Sequence, residues 1–269
     1  PRALLAMGLP TMVGMMINAL YNLVDAYFVG GLGTSQMGAI SVAFPLGQAV
    51  VGLGLLFGNG AASYISRLLG SGDRETADRV AATALYSSML VGGAVIVCAV
   101  VFLKPILRCL GATDSILPYA VTYAGIYVVS SIFNVFNVAM NNIVTSEGAA
   151  RTTMCVLLTG AALNMILDPV FIYVLNLGVA GAAIATAISQ AVSTLVYLYY
   201  IICKRSIFCF SFRKCCFSKE IMSEILKIGI PTLAFQLLTS LSITMINMEA
   251  KQYGDSVIAG MSAVTRVIS

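Results

Sequence analysis

The sequence predicts an all-α polytopic membrane protein: a six-helix lobe followed by the first helix or two of a second lobe that repeats it in parallel. Three observations predict this. The composition is strongly apolar, runs of membrane-spanning length recur along the whole chain, and the chain matches itself at one fixed offset.

Of the 269 residues, 59% are hydrophobic and 10% charged, and the mean hydropathy is strongly positive, outside the range of soluble domains. Crossing a hydrocarbon core of about 30 Å takes roughly 20 helical residues. Apolar runs of that size lie near residues 4–29, 37–66, 80–103, 116–142, 153–175, 179–203 and 228–250, and an eighth begins near Ser256 and is cut off. The first run carries Pro10, Asn18 and Asp25, so it reads as a retained span and not as the short uniform core of a signal peptide.

Assigning the basic residues to the connections gives the topology. One side of the membrane collects eleven: Arg2, Arg67, Arg74, Arg79, Arg151, Lys204, Arg205, Arg213, Lys214, Lys219 and Lys227. The other collects three, Lys104, Arg108 and Lys251, with Arg266 left in the eighth run. By the positive-inside rule the N-terminus and the long basic connection lie in the cytoplasm, and the location is the plasma membrane. The net charge of +4 comes from these membrane-flanking residues, with no nucleic-acid motif beside them, so nucleic acid is not an expected partner. Lipid headgroups are an alternative contact for Lys204 to Lys219.

The seven cysteines (Cys98, Cys109, Cys155, Cys203, Cys209, Cys215 and Cys216) form no CxxC pair, and the chain has no histidine. Neither a zinc site nor a disulfide framework is expected, and the cysteines read as small apolar packers.

The internal match is gapless. Gly8, Pro10 and Thr11 fall on Gly229, Pro231 and Thr232, and Gly33, Ser35 and Ser41 fall on Gly254, Ser256 and Ser262, always 221 residues apart. Register kept across a helix, a loop and the start of the next helix indicates two homologous halves. Six spans separate equivalent points, so the second half enters from the same side and the repeat is parallel. The expected organisation is a six-helix lobe over 1–203, a basic cytoplasmic connection over 204–227 and the start of a second lobe over 228–269.

A carboxylate near the bilayer centre costs about 2.5–3.5 kcal/mol on insertion scales. Only Asp25 and Asp168 lie well inside the runs. Asn164 precedes Asp168 by one helical turn and shares its face, and Pro169 removes a backbone donor and frees a carbonyl. Such an oxygen-rich spot suits a hard cation such as Na⁺, and the same acids can carry a proton. The bland alternative is a structural hydrogen bond at a kink. Asn18, Tyr21, Gln48, Asn59, Tyr123, Asn137, Asn141, Thr186 and Gln190 either line a cavity or hold helices together, and Met12, Met15 and Met16 either suit an apolar cargo or simply pack. Glycine and alanine density at 52–60 and 178–187 permits close helix approach.

Five motifs in order carry a resemblance: Gly-Leu-Pro at 8–10, YNLVDAYFVGGLG at 21–33, SEGAAR at 146–151, NMILDPVFIY at 164–173 and GVAGAAIATAISQ at 178–190. Together they resemble the multidrug and toxic compound extrusion (MATE) family, closest to its MepA-like bacterial branch, over essentially the whole chain. The resemblance implies twelve helices in two six-helix lobes, here one lobe plus the opening of the other. It also implies export of organic, often cationic compounds from a central cleft in exchange for Na⁺ or H⁺, with no cofactor. The implied cation site is Asp25, Asn164, Asp168 and Thr186, with Na⁺ possible at the first three. Tyr21, Tyr123 and Asn141 are implied in the polar network or cleft, beside Asn18 and Gln48. A seventh-helix acid of some family members has no counterpart in Phe235 to Thr239, which moves coupling toward the first lobe.

The expected partners are small organic substrates and membrane lipid, for a chain acting as a monomer. A lipid-linked oligosaccharide flippase would need Lys or Arg centrally in the cleft for its pyrophosphate, and none lies centrally in the first seven runs. An integral-membrane enzyme would need a nucleophile–base pair or a metal set, and neither is legible.

Overall fold

The computed structural model describes residues 2–203, 205–210 and 218–268, with the side chains of 2–7, 15, 18, 26 and 262–268 outside the description. Among the described residues every regular element is helical: α1 Arg2–Gly30, α2 Thr34–Ser71, α3 Arg74–Val101, α4 Leu103–Cys109, α5 Leu117–Ser146, α6 Ala150–Pro169 running into a π-helical turn Val170–Val174, α7 Val179–Ile202, α8 Lys219–Lys251 and α9 Asp255–Ile268. Seven of them are long and apolar enough to cross a membrane, matching the seven expected runs.

Two boundaries depart from expectation. The third connection, expected as a loop with Lys104 and Arg108, contains the short helix α4, whose Leu103 and Leu107 are buried against the bundle. The basic connection is shorter than expected, because Ser218 caps α8 by accepting from the Glu220 N–H and starts the helix there, putting Lys219 and Lys227 on it.

Local chemistry sets the turns. α2 ends where Gly72 adopts φ +86° and the Asp73 N–H reaches back to the Leu68 carbonyl, a left-handed stop that costs glycine little. Asp73 then caps α3 by accepting from the Thr76 N–H at 3.0 Å. The repeat is visible in the backbone: Gly33 (φ +113°) precedes α2 and Gly254 (φ +98°) precedes α9, at the expected offset.

Two buried apolar clusters build the core. One gathers Ile40, Val42, Leu107, Ile116, Val128 and Ile172 at the α4 end. The other gathers Phe57, Ile65, Val80, Met140, Tyr197 and Ile225 at the end where α7 leads to α8. α2 and α8 meet along a close seam made by glycines: a Cβ on Gly60 would lie 2.2 Å from the Ile225 carbonyl oxygen, and one on Gly229 would lie 2.0 Å from that of Leu56.

Polar contacts lock the same seam. Pro45 has no N–H to offer the Ser41 carbonyl one turn back, and Asn247 of α8 takes it at 3.1 Å while accepting from the Ser41 hydroxyl at 3.2 Å. Ser240 donates to the Pro45 carbonyl at 2.8 Å; separately, Asp255 at the start of α9 accepts from Ser115 at 2.6 Å and Thr113 at 2.9 Å in the connection before α5. The five described cysteines, Cys98, Cys109, Cys155, Cys203 and Cys209, are all exposed. The reading of these five as packers is therefore corrected as far as the bundle core goes: Cys98, Cys109 and Cys155 sit on outward helix faces, and Cys203 and Cys209 lie beyond the end of α7.

Candidate functional site

Four helices converge on a polar centre. α1 supplies Tyr21 and Asp25, one turn apart; α6 supplies Asn164 and Asp168, also one turn apart; α7 supplies Thr186 and α5 supplies Tyr123. Asp25 is 8% exposed and Asp168 0%, so neither carboxylate sits in open water at the edge of the bundle.

Asn164, itself buried, connects α6 to α7. In the amide orientation that satisfies both of its polar atoms, its nitrogen donates to Asp168 Oδ2 at 2.8 Å and its oxygen accepts from the Thr186 N–H at 3.2 Å. The Thr186 hydroxyl lies 3.4 Å from the same amide and shares a hydrogen bond with Tyr21, whose phenol is within electrostatic reach of Asp25, Asp168 and Tyr123. The expected pairing of Asn164 with Asp168 on one helical face is thus present, and Thr186 and Tyr21 join it from two other helices.

The α6 end is shaped for this approach. After Pro169 the backbone widens into the π-helical turn, and a Cβ on Gly181 of α7 would lie 2.7 Å from the Phe171 backbone, so only a glycine lets α7 come this near. Tyr173 in that turn donates to the Phe28 carbonyl at 2.6 Å and ties down the end of α1 that carries Asp25.

Beside the acids opens a cleft of about 100 Å³ lined by Tyr21, Asp25, Phe44, Gln48, Tyr123 and Thr186, among others. Its described lining includes one carboxylate and no Lys or Arg. Tyr123 and Tyr127 stack, with centroids 5.9 Å apart and planes 11° from parallel. Asn22, Phe44 and Tyr127 line the cleft without having been singled out in the sequence. The available signal was spacing, since Tyr127 follows Tyr123, and Phe44 precedes Gln48, by one turn.

Four expected residues lie elsewhere, among them Asn59, which ties α2 to α8 by donating to the Thr232 hydroxyl at 3.1 Å. Asn141 does not line this cleft: it is 18 residues beyond Tyr123 on α5, about 27 Å along a helix, and sits beside Tyr197. Asn137 and Gln190 hold α5 to α7, Asn137 Nδ2 donating to Gln190 Oε1 at 2.7 Å. The Asn18 side chain lies outside the described residues.

The fold is thus a helical bundle with seven helices of membrane-spanning length and two buried carboxylates beside a polar–aromatic cleft. The chain belongs to the MatE family, whose model matches residues 10–170. It is 32% identical over 268 residues to the multidrug export protein MepA of Staphylococcus aureus and 31% identical to that of Staphylococcus saprophyticus, in each case over 99% of this chain and 59% of the relative. The chain therefore spans about 59% of the length of these curated relatives.

Solved structures agree. An inward-facing multidrug resistance MATE family transporter of the MOP superfamily superposes with a TM-score of 0.89 at 33% identity, over 98% of this chain and 60% of that one. A MATE in the straight conformation gives 0.87 at 33% identity, over 98% of this chain and 59% of that one. A MOP superfamily transporter from Pyrococcus furiosus, described as having a binding pocket of reversed polarity, gives 0.83 at 28% identity, over 99% of this chain and 68% of that one.

Proposed function

We propose that this chain is the first lobe and the opening of the second lobe of a secondary multidrug exporter in the plasma membrane, exchanging organic cations for Na⁺ or H⁺. The observation that carries the reading is the placement of Asp25 and Asp168, buried, beside a cleft with aromatic and acidic but no basic lining. Each intramembrane carboxylate costs about 2.5–3.5 kcal/mol to insert, and a bound cation or proton offsets that cost. A pyrophosphate-bearing lipid cargo would instead meet Asp25 with no cationic partner in the lining.

In this reading the cation engages Asp25, Asn164, Asp168 and Thr186, while Tyr21, Gln48 and Tyr123 face the cargo. Occupancy of the acids bends α1 and weakens cargo binding, so the two bind alternately. This drives transport only if the cation binds one access state more tightly than the other. The protein acts as a monomer, with the end carrying α8's start in the cytoplasm.

Asp25→Asn in the full-length protein is expected to abolish gradient-driven efflux of a fluorescent cationic dye from cells, and coupling as strong as wild type would sink the assignment. For orientation, a membrane-impermeant maleimide should label Cys209 only after cells are permeabilised; labelling of intact cells would invert the topology.

A further inference from the structure

A second polar feature runs from this site toward the start of α8, and the transport reading leaves it unused. Thr186, Gln190, Thr194, Tyr197 and Tyr200 follow one another on α7 at spacings of four, four, three and three, so they share one face. That face packs on α5. Thr194 donates to Asn137 Oδ1 at 3.1 Å, Asn137 binds Gln190 at 2.7 Å, and the Tyr197 phenol, 1% exposed, lies beside Asn141.

The row ends on another carboxylate. Glu147, just past α5, accepts from the Tyr200 hydroxyl at 2.5 Å, the Ser206 hydroxyl at 2.7 Å and the Ile207 N–H at 3.1 Å. Its partners from α7 and from the connection after it are thus hydroxyls and an amide, while the nearby Arg205 guanidinium lies over the Tyr199 ring at 5.9 Å. Burial holds the Glu147 carboxyl above its usual range, against the opposing pull of those hydrogen bonds.

Helix pairing alone accounts for Asn137, Gln190 and Thr194. It does not account for the rest. Among the described residues Ser189 Oγ on α7 and Asn134 Oδ1 on α5 are buried without a hydrogen-bond partner, and the buried Tyr197 hydroxyl has no polar neighbour beyond Asn141; buried polar atoms of that kind are ordinarily met by water. A line of hydroxyls, flanked by buried polar atoms of the kind that bind water and set between a central acid and a surface acid, has the chemistry of a relay.

We propose that the α5–α7 face is a proton path joining the Asp25–Asp168 centre to the cytoplasm, with Tyr197 as its middle relay and Glu147 as its outlet. This rests on the coupled-transport reading above. A proton leaves the central carboxylic acid for Thr186 or an adjacent water. Each hydroxyl or water then accepts one proton and passes one on, and Glu147 carboxylate receives it and releases it to bulk water. The central acid is left as carboxylate and every relay group returns to its starting state. The amides of Gln190 and Asn137 position the line without carrying the proton.

The test uses the full-length protein in proteoliposomes, with a cationic dye as cargo and an imposed pH gradient. Tyr197→Phe and Glu147→Gln are expected to slow proton-driven dye exchange by about tenfold or more, in keeping with loss of a proton-transfer group. Equilibrium dye binding without a gradient should stay unchanged, and Glu147→Asp should restore exchange. Tyr197→Phe keeps the ring and the packing, so it remains informative if Glu147→Gln folds poorly. Exchange at the wild-type rate in both variants, or exchange driven by Na⁺ alone, overturns the path. If Asp168→Asn abolishes coupling while Tyr197→Phe leaves it intact, only the path fails; if Asp168→Asn leaves coupling intact, the transport reading beneath it fails.

Discussion

The glycine contacts between α2 and α8 make a prediction with a definite size. Gly60 faces Ile225 and Gly229 faces Leu56, each pair one turn from the other, so the two helices cross with backbone against backbone. Replacing Gly60 or Gly229 with alanine puts a methyl 2.2 Å or 2.0 Å from a carbonyl oxygen that belongs to a helix and cannot swing aside. Reaching ordinary contact at about 3.4 Å requires the helices to part by about 1.2–1.4 Å, which opens gaps along a close-packed seam. Overpacking of this kind costs about 1–3 kcal/mol, and a rigid obstacle places both variants at the upper end.

The two costs are not independent. Once the first methyl has spread the helices the second finds room, so Gly60→Ala with Gly229→Ala should cost less than the sum of the singles by at least about 0.5 kcal/mol. Gly70→Ala is the control: it lies exposed on the same helix with nothing within 4 Å of its would-be Cβ, and alanine there should be neutral or slightly stabilising. Unfolding of the purified full-length protein in detergent measures all four. Should Gly60→Ala and Gly229→Ala unfold like Gly70→Ala, or add without coupling, the close seam is wrong.

Three further outcomes are expected. Asn247→Ala removes both bonds to Ser41 and should cost about 0.6–2 kcal/mol; in a Pro45→Ala background the cost should shrink, because a restored N–H takes the Ser41 carbonyl, and equal cost in both backgrounds would refute that account. Asn164→Ala withdraws the donor to Asp168 and the acceptor for the Thr186 N–H, so the apparent cation affinity read from dye efflux should fall by about tenfold or more, and an unchanged titration would remove Asn164 from the site. For Glu147, burial raises the folded-state pKa above the unfolded one, so its stabilising contribution is present below the ordinary glutamate range and is lost as pH rises through the raised value. Glu147→Gln should therefore flatten thermal stability between about pH 4 and the folded-state value, and an equally steep profile would show that other groups set it.

The spans were legible because each must hold roughly 20 apolar residues, a demand that composition alone reveals. The short helix α4 was not. LKPILRC is too brief to span and carries two charges, and it becomes a helix because Leu103 and Leu107, one turn apart, bury themselves on the bundle. The glycine-rich stretch at 52–60 announced a close approach without naming its partner. Composition shows that a face can be approached; only the fold shows that Gly229, more than 160 residues away, approaches it.

At the site, single-helix spacing carried as far as one helix reaches. Asn164 and Asp168 share a face because they are one turn apart, and no tertiary information is needed to see it. That the Thr186 N–H completes the Asn164 amide depends on α7 lying against α6, which Gly181 permits. Asn141 shows the opposite limit. Residue type and resemblance put it with Tyr123, yet 18 residues of straight helix separate them by about 27 Å, so both can belong to polar networks of α5 only if there are two networks. The structure has both: the carboxylate centre around Tyr21, Asp25 and Thr186, and the α5–α7 line that passes Asn141 and Tyr197 on its way to Glu147. Helix pairing explains the amides of that line and Thr194, so Tyr197 and Glu147 are the members on which the proposed relay stands or falls.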